Sequence, residues 1–310
     1  MNADPPQADT GRAARFTRST ALAGRPFPIG RRGLVILCIA AAAVCAWWLL
    51  DAALSGLLPQ RGGAKIVREF FARALTPALG YESEVPLDTP PLLLQALGAA
   101  RRTLVFAAAA ISLAIPGGLV LGFLGASAWW EDERAGGSTR LARWFYRTLA
   151  PITWGVTRVM IVGMRSVHEL LWAVLFLAAF GLNSTSAVIA IAIPYTGTLA
   201  KVFSEMIDEA ARDAGHALRA AGASPLQVFC FGLLPRAAPD MSAYAFYRFE
   251  CAVRSSAVLG FFGFPTLGYF ISAAFDNLHY GEVWTYLYVL AAMVIGIEMW
   301  SGALRQRFVA

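Results

Sequence analysis

Apolar runs long enough to cross a bilayer recur along this chain, and they constrain its fold more than any other feature. They occupy 33–50, 92–126, 167–182, 186–203, 241–261 and 283–302, with Arg in three of the five intervening segments. A helix needs about 20 mostly apolar residues to span the hydrocarbon core. In lipid the backbone must satisfy its own hydrogen bonds, so runs of this kind read as helices. Composition agrees, since 57% of residues are hydrophobic and 15% charged, far too apolar for a soluble domain of this length. The net charge of +6 is nearly all Arg, with Lys only at 65 and 201. The Arg residues are scattered around the apolar runs and not gathered on one face. That suits a positive-inside topology better than nucleic-acid binding. The expectation is an all-α polytopic membrane protein with six transmembrane helices and both termini cytoplasmic.

Residues 1–32 are polar, Pro-containing and basic, and are expected to form a disordered cytoplasmic tail. Arg31-Arg32 imitates a twin-arginine export signal, but no clean cleavage site follows and further spans do. Residues 33–91 read as the first transmembrane helix, anchored by Trp47 and Trp48, and a periplasmic segment. Within it 65–75 alternates charge and apolar residues at helical spacing, suited to a membrane surface, and 81–91 reads as loop. Residues 92–310 form the core. In the helix over 92–126, Arg101 and Arg102 should lie near its outer end or face protein, and Pro116-Gly117-Gly118 predicts a kink or loosened turn. Residues 130–143 read as a cytoplasmic loop.

Two readings fit the next stretch. Either 149–164 spans and 170–204 is one long helix, or 149–164 approaches the membrane and runs into a third span over 167–182. In the second reading a short outer turn leads to a fourth span over 186–203. Asn183-Ser184-Thr185 fits a glycosylation sequon, a pattern short enough to arise by chance. Residues 241–261 read as a fifth span, 261–270 as a broken segment that is re-entrant or at the outer surface, and 272–282 as an outer loop. The last span is 283–302, with Arg305 and Arg307 holding its end inside.

Between the fourth and fifth spans lies the one long amphipathic, charge-bearing stretch, 205–239. Ala, Leu, Arg and Glu favour helix over 205–221. Gly222 suits the position just past that helix. Ser224 suits the N-cap and Pro225 the first turn of a second helix. Leu234-Pro235 and Pro239 are expected to break that second helix. A helix-corner-helix on the cytoplasmic side is a shape that a soluble partner can grip.

These residues also carry a family resemblance. Ala217-Leu218, three residues, Gly222, nine residues, Gly232, one residue and Leu234-Pro235 resembles the EAA loop of ABC importer permeases. The family pattern is Glu-Ala-Ala, three residues, Gly, nine residues, Ile, one residue, Leu-Pro. His216 stands where that Glu would be, Leu218 replaces the second Ala and Gly232 the Ile. Glu209-Ala210-Ala211 with Gly215 matches the first half one heptad upstream, but leaves its Leu-Pro misplaced. Arg165-Ser166-Val167-His168-Glu169 is similar to the Arg-Ser-x-Pro-Glu that begins a span in the family, with His168 for Pro. Gly263 and Gly268 flank Phe264-Pro265-Thr266 where the family has a Gly-rich run, and 297–307 resembles the family's closing segment, with Glu298 near its acidic position. The text from Ala223 to Gly260 looks like the phosphonate-uptake branch, with Cys251 where Asn is usual. The resemblance covers 94–307.

The resemblance implies a type I ABC importer permease (MetI-like) fold in the bacterial inner membrane. It implies a translocation path for phosphonate or a related phosphorus oxyanion, with a methionine-like substrate as the alternative. The implied partners are two cytoplasmic ATPase subunits, a periplasmic substrate-binding protein and a second permease copy in a homodimer. ATPase coupling would fall to His216, Ala217, Leu218, Gly222, Ala223, Ser224, Leu234 and Pro235.

The residues themselves argue against chemistry on this chain. Neither Lys follows a Gly and no Gly-x4-Gly-Lys-Ser/Thr occurs, so no P-loop is expected, and ATP and Mg would be used by partners. His168-Glu169 begins like a zinc-protease motif, but Trp172 holds the place of the second His. His216 and His279 have no ligands at metal spacing. No Gly-x-Ser-x-Gly elbow supports a serine nucleophile. Cys38, Cys45, Cys230 and Cys251 read as small hydrophobic residues. No catalytic residue, metal or cofactor is expected.

What remains are ionisable groups in apolar sequence. A charge there costs about 2.5–3.5 kcal/mol on insertion scales, so it should face protein or water. Arg165 and Glu169 are one helical turn apart, as are Glu250 and Arg254, with Arg248 nearby. Each set reads either as lining of a translocation path or as a pair that fixes packing. Tyr195, following Pro194, either joins the path or marks a kink in a packed helix. Two other classes stay open. One is an intramembrane hydrolase using Glu169 or Glu250 with a His. The other is a proton-coupled secondary transporter, suggested by the buried carboxylates, although no paired internal repeat is visible.

Overall fold

The computed structural model describes residues 31–50, 62–127, 148–210 and 213–309. The basic tail over 1–30 and the loop expected over 130–143 lie outside them. The chain divides into two units, Met1–Lys65 and Ile66–Ala310. In the first, α1 (Arg31–Leu49) is apolar from Gly33 onward, and Trp47 and Trp48 are exposed near its end.

Helices are the only regular secondary structure among the described residues of the second unit. After α2 (Gly63–Ala74) come α3 (Leu92–Gly125), α4 (Ala150–Ser166), α5 (Glu169–Phe180), α6 (Ser184–Glu209) and α7 (Asp213–Ala220). A short α8 (Pro225–Val228) and a π-helical turn (Phe229–Leu233) lead into α9 (Leu234–Val258). A 3₁₀ turn (Leu259–Phe262), α10 (Leu267–Asp276) and α11 (Tyr280–Val309) complete it. Three helices, α3, α6 and α11, are each long and apolar enough to cross a membrane. Two bent pairs qualify jointly, α4 with α5 at 89°, and α9 with its flanking π and 3₁₀ turns (Phe229–Phe262) with α10 at 46°.

The bent pairs correct two expectations. The third span was expected over 167–182, but α5 has 12 residues and rises only about 18 Å, short of a core of about 30 Å. It qualifies only together with α4, so 149–164 is neither a separate span nor a bystander. The outer loop expected over 272–282 shrinks to Asn277, Leu278 and His279, because α10 continues to Asp276. Its start is fixed by close approach. A Cβ on Gly260 of the 3₁₀ turn would collide with backbone of α10, and one on Gly268 of α10 with Ala257 backbone at the end of α9.

α3 and α6 form the centre. Gly118 faces Leu199 and Gly122 faces Phe203, so both sequences ascend together and the helices pack in parallel. Parallel neighbours need a returning element between them, which α4 and α5 supply. Small residues make this contact, as Ala107, Ala110, Ala114, Gly118, Gly122 and Gly125 form one buried stripe of α3. Between membrane helices the attraction is mainly close van der Waals packing, which small residues permit. The helix runs through Pro116 unbroken. A Cβ on Gly118 would lie 2.7 Å from Leu199 Cβ. Gly118→Val is therefore expected to destabilise the bundle by about 1–3 kcal/mol, the usual cost of overpacking. The check is thermal unfolding of the detergent-purified protein, with Gly98→Val, where a Cβ meets nothing within 4 Å, as control.

The segment after α2 is clamped to the start of α11. Trp284 Nε1 donates to Phe70 O at 2.7 Å, and Thr285 and Tyr288 hydroxyls donate to Ala78 O and Ala74 O. Glu282 accepts the Glu82 N–H at 2.7 Å. Tyr81 donates to Pro90 O at 2.8 Å, and burial followed by the Glu282 carboxylate pushes its hydroxyl above the usual range. The helix expected over 65–75 is thus held by protein contacts. Arg101 and Arg102 are exposed in the first third of α3.

Candidate functional site

The bend between α4 and α5 brings a carboxylate to the middle of the bundle. Val167 and His168 are extended, so α4 stops and a new helix begins. His168 caps it, its Nδ1 accepting the Leu170 N–H at 3.3 Å. Glu169 is then the first residue of α5, where the helix dipole favours negative charge. Its Oε1 accepts the Ser255 hydroxyl at 2.9 Å, and the Tyr195 and Ser255 hydroxyl oxygens lie 3.0 Å apart. With the Ser255 proton directed at Glu169, Tyr195 donates to Ser255. This chain of hydroxyls ties α6, α9 and α5 together.

Around it lies a cavity of about 320 Å³. α9 contributes Arg248, Cys251, Arg254 and Ser255, α6 contributes Pro194, Tyr195 and Thr198, and α5 contributes Glu169. Arg248 is held in place, its Nε donating to the Tyr244 hydroxyl at 2.8 Å and its guanidinium lying 5.1 and 5.7 Å from the Tyr244 and Tyr247 rings. Arg254 donates to Cys251 Sγ at 3.7 Å. Among the described residues neither arginine is ion-paired. Two guanidinium groups and one carboxylate leave a formal surplus of one positive charge.

Four of the six path candidates therefore meet: Glu169, Tyr195, Arg248 and Arg254. The other two do not. Glu250 lies about 200° round α9 from Arg248 and accepts from Arg305 Nη2 of α11 at 3.2 Å. The expected Glu250–Arg254 pair is thus replaced by a packing pair. Arg165 is exposed in the last turn of α4, and the helix break separates it from Glu169, so that pair does not form either. Glu169 instead has His168 Nε2 at 3.7 Å. Sequence reasoning missed Ser255, Thr198 and Cys251. Arg248, Cys251 and Ser255 stand at i, i+3 and i+7, a spacing that would have exposed their common face. The Glu250 side chain is 11% exposed and that of Arg305 33%. Glu250→Ala is expected to cost roughly 1–3 kcal/mol, below the 3–5 of fully buried pairs, because Arg305 retains some water. Glu250→Ala with Arg305→Ala should cost less than the sum of the singles in thermal unfolding.

The corner of the 205–239 stretch forms as the sequence requires. Gly222 has φ +85°, Ala223 N donates to Leu218 O at 3.0 Å and Gly222 N to Arg219 O at 2.8 Å, a complete Schellman motif. Ser224 N donates to Gln227 Oε1 at 2.8 Å and Gln227 N to Ser224 Oγ at 3.4 Å, a reciprocal capping box. The helices on either side differ from expectation. The first is interrupted at Ala210, which is extended, so 205–209 belongs to α6 and the corner helix is α7. The second is not broken by Leu234-Pro235 or Pro239. Leu234 N reaches back to Phe229 O, the widened π turn, and Pro235 sits in the first turn of α9 where its missing N–H costs nothing.

This hairpin is fixed to the ends of α3 and α6, and α6 is in turn tied to α4. Phe229 and Leu233 pack with Ala126 and Ile207, and the Phe123 and Phe229 rings are 4.3 Å apart. Asp208 accepts from Ser127 Oγ at 2.9 Å and pairs with Arg158 at 3.8 Å. Within the hairpin, Gly215 and Gly232 meet backbone to backbone. Its outer face carries His216, Ala217, Gly222 and Ser224 exposed, Ala223 and Leu218 half-buried, and Phe231 at 72% exposure. Leu234 is half-buried and Pro235 exposed.

Parallel helices of small residues, bent helix pairs around a cavity and an end hairpin define an all-helical fold with several helices able to cross a membrane. An inward-facing MetNI methionine ABC transporter shares it, with TM-score 0.57 and 19% identity, covering 71% of this chain and 99% of that one. So does an amino acid ABC transporter solved with histidines, with TM-score 0.53 and 16% identity, covering 69% and 94%. Residues 138–308 match the family of binding-protein-dependent transport system inner membrane components, and the chain belongs to that family. It is 35% identical over 158 residues to the phosphite transport system permease protein PtxC of Stutzerimonas stutzeri, covering 51% of this chain and 58% of the relative. It is 30% identical over 159 residues to the phosphate-import permease protein PhnE of Mycolicibacterium smegmatis, covering 51% and 30%. The match thus spans little more than half of the first relative's length, and less of the second.

Proposed function

We propose that the chain is the membrane permease subunit of an ABC importer that carries a phosphorus oxyanion. The observation that carries this reading is the cavity lined by Arg248 and Arg254, neither of them ion-paired among the described residues, with a surplus of one positive charge over Glu169. Guanidinium forks match the oxygens of tetrahedral oxyanions, and the relatives named above are phosphite and phosphate permeases. In this reading the hairpin end faces the cytoplasm, as do both termini. Each of two ATPase subunits receives one hairpin, with Phe231 as the apolar contact and Gly222 at the corner. ATP and Mg belong to those subunits. A periplasmic binding protein delivers the substrate, and a second copy of the chain completes the path.

The mechanics follow from continuity. α8, the π turn and α9 form one rod from Pro225 to Val258, so a push on the hairpin moves Arg248, Arg254 and Ser255 directly. The contacts of Phe229 and Asp208 carry the same push to α3, α4 and α6. Tyr195 and Glu169 lie on the other side of the cavity, so relative motion of the rods breaks or makes the hydroxyl chain. This is a rigid-body switch between two packings. The test is solute uptake by proteoliposomes holding the chain with its ATPase and binding protein. Radiolabelled phosphite or a phosphonate should accumulate and methionine should not; the reverse would contradict the substrate class.

A further inference from the structure

We infer that Glu169 makes the cavity selective for oxyanions that still carry an acidic proton, so that hydrogen-bearing phosphorus oxyanions enter and fully ionised ones such as sulfate do not. This deepens the reading of the cavity as an oxyanion site and rests on it. Two arginines alone would not discriminate, because a guanidinium fork fits any tetrahedral oxyanion. Glu169 changes the chemistry. An ionised carboxylate only accepts hydrogen bonds. Its carboxylate stands in the first turn of α5 and lines the cavity together with the two guanidinium groups.

Glu169 also keeps capacity to accept. Oε1 takes the Ser255 proton, and the Tyr195 proton is committed to Ser255. His168 uses Nδ1 as acceptor, and its Nε2 stays 3.7 Å from Oε2, too long for a hydrogen bond. The side chain is 27% exposed. An oxygen placed against it must therefore bring its own proton. A P–OH does so, donating to the carboxylate while its other oxygens face the arginines. A bare sulfate oxygen would set two anions in contact with no proton between them. No bond is made or broken, and the proton stays on the ligand.

The experiment is equilibrium binding to the full chain in phosphatidylcholine nanodiscs. It is run at mildly acidic pH, where phosphite and phosphate carry an acidic proton and sulfate none. Sulfate should bind roughly a hundredfold more weakly than phosphite, less than the 10⁴–10⁵ of fully buried hydrogen-bonding sites because Glu169 is partly exposed. Glu169→Gln, whose amide can donate to a bare oxygen, should bring sulfate to within a few-fold of phosphite. Equal binding of sulfate and phosphite by the unmodified chain, or an unchanged ratio in Glu169→Gln, overturns the selectivity alone. Binding that survives Arg248→Ala with Arg254→Ala, or no binding of any oxyanion, overturns the oxyanion site and this inference with it. Phosphite binding abolished by adding phosphatidic acid to the discs would assign the site to a lipid headgroup and overturn the proposal.

Discussion

Gly222→Pro is expected to abolish uptake while leaving the chain inserted in the membrane. Gly222 has φ +85°, and proline holds φ near about −65°. Proline also removes the N–H that bonds Arg219 O at 2.8 Å. Both closures of the corner fail, α7 and α8 lose their fixed angle, and the hairpin no longer fits a partner's groove. Bulk within the chain is not the reason, since a Cβ on Gly222 meets nothing within 4 Å. Gly222→Ala should therefore be mild, limited to the roughly 1–2 kcal/mol strain of a left-handed residue. Gly222→Trp should fold but block docking, because its ring would project from the exposed corner. The three variants separate corner geometry from partner access. Co-purification of the ATPase subunit and uptake are the readouts, with membrane extraction as the insertion control.

Arg254→Glu should produce a comparable loss at the other end of the rod. The cavity holds two positive groups and one negative; the variant holds one and two, so its formal charge changes from +1 to −1. An anion that met attraction in the cavity now meets repulsion there. Disrupting a close charge pairing of this kind costs about 2–5 kcal/mol, so uptake should fall at least roughly thirtyfold. Arg254 is exposed within the chain and has no ion pair among the described residues, so the fold should tolerate the change. Uptake is the readout, with ATPase co-purification expected to stay normal. Full uptake would show that the substrate does not pass these arginines.

The corner was legible in the sequence because its signals are local. Gly222, Ser224 and Pro225 stand close together in the sequence, and each has one favoured role. The flanking helices were less so. The prolines at 235 and 239 look like breakers, but a π turn places Pro235 at a helix start, and that turn follows from Phe229 and Leu233 packing on α3 and α6. The interruption at Ala210 has no Gly or Pro to announce it. The parallel pairing of α3 and α6 is long-range and invisible in either run alone. The cavity shows the same division. Intramembrane charge pointed to Arg248, Arg254 and Glu169, whereas the separation of Glu250 from them depends on Arg305, 55 residues away. Ser255 and Thr198 are ordinary helix residues until the other wall of the cavity is in place.

The source of energy for uptake tests the central claim most directly. Proteoliposomes would hold the chain with its ATPase subunits, and the binding protein and phosphite would be supplied on the opposite side. The account predicts accumulation that requires ATP on the hairpin side, ignores a proton gradient and disappears in Gly222→Pro. Accumulation driven by a proton gradient in liposomes holding this chain without any ATPase subunit would contradict it.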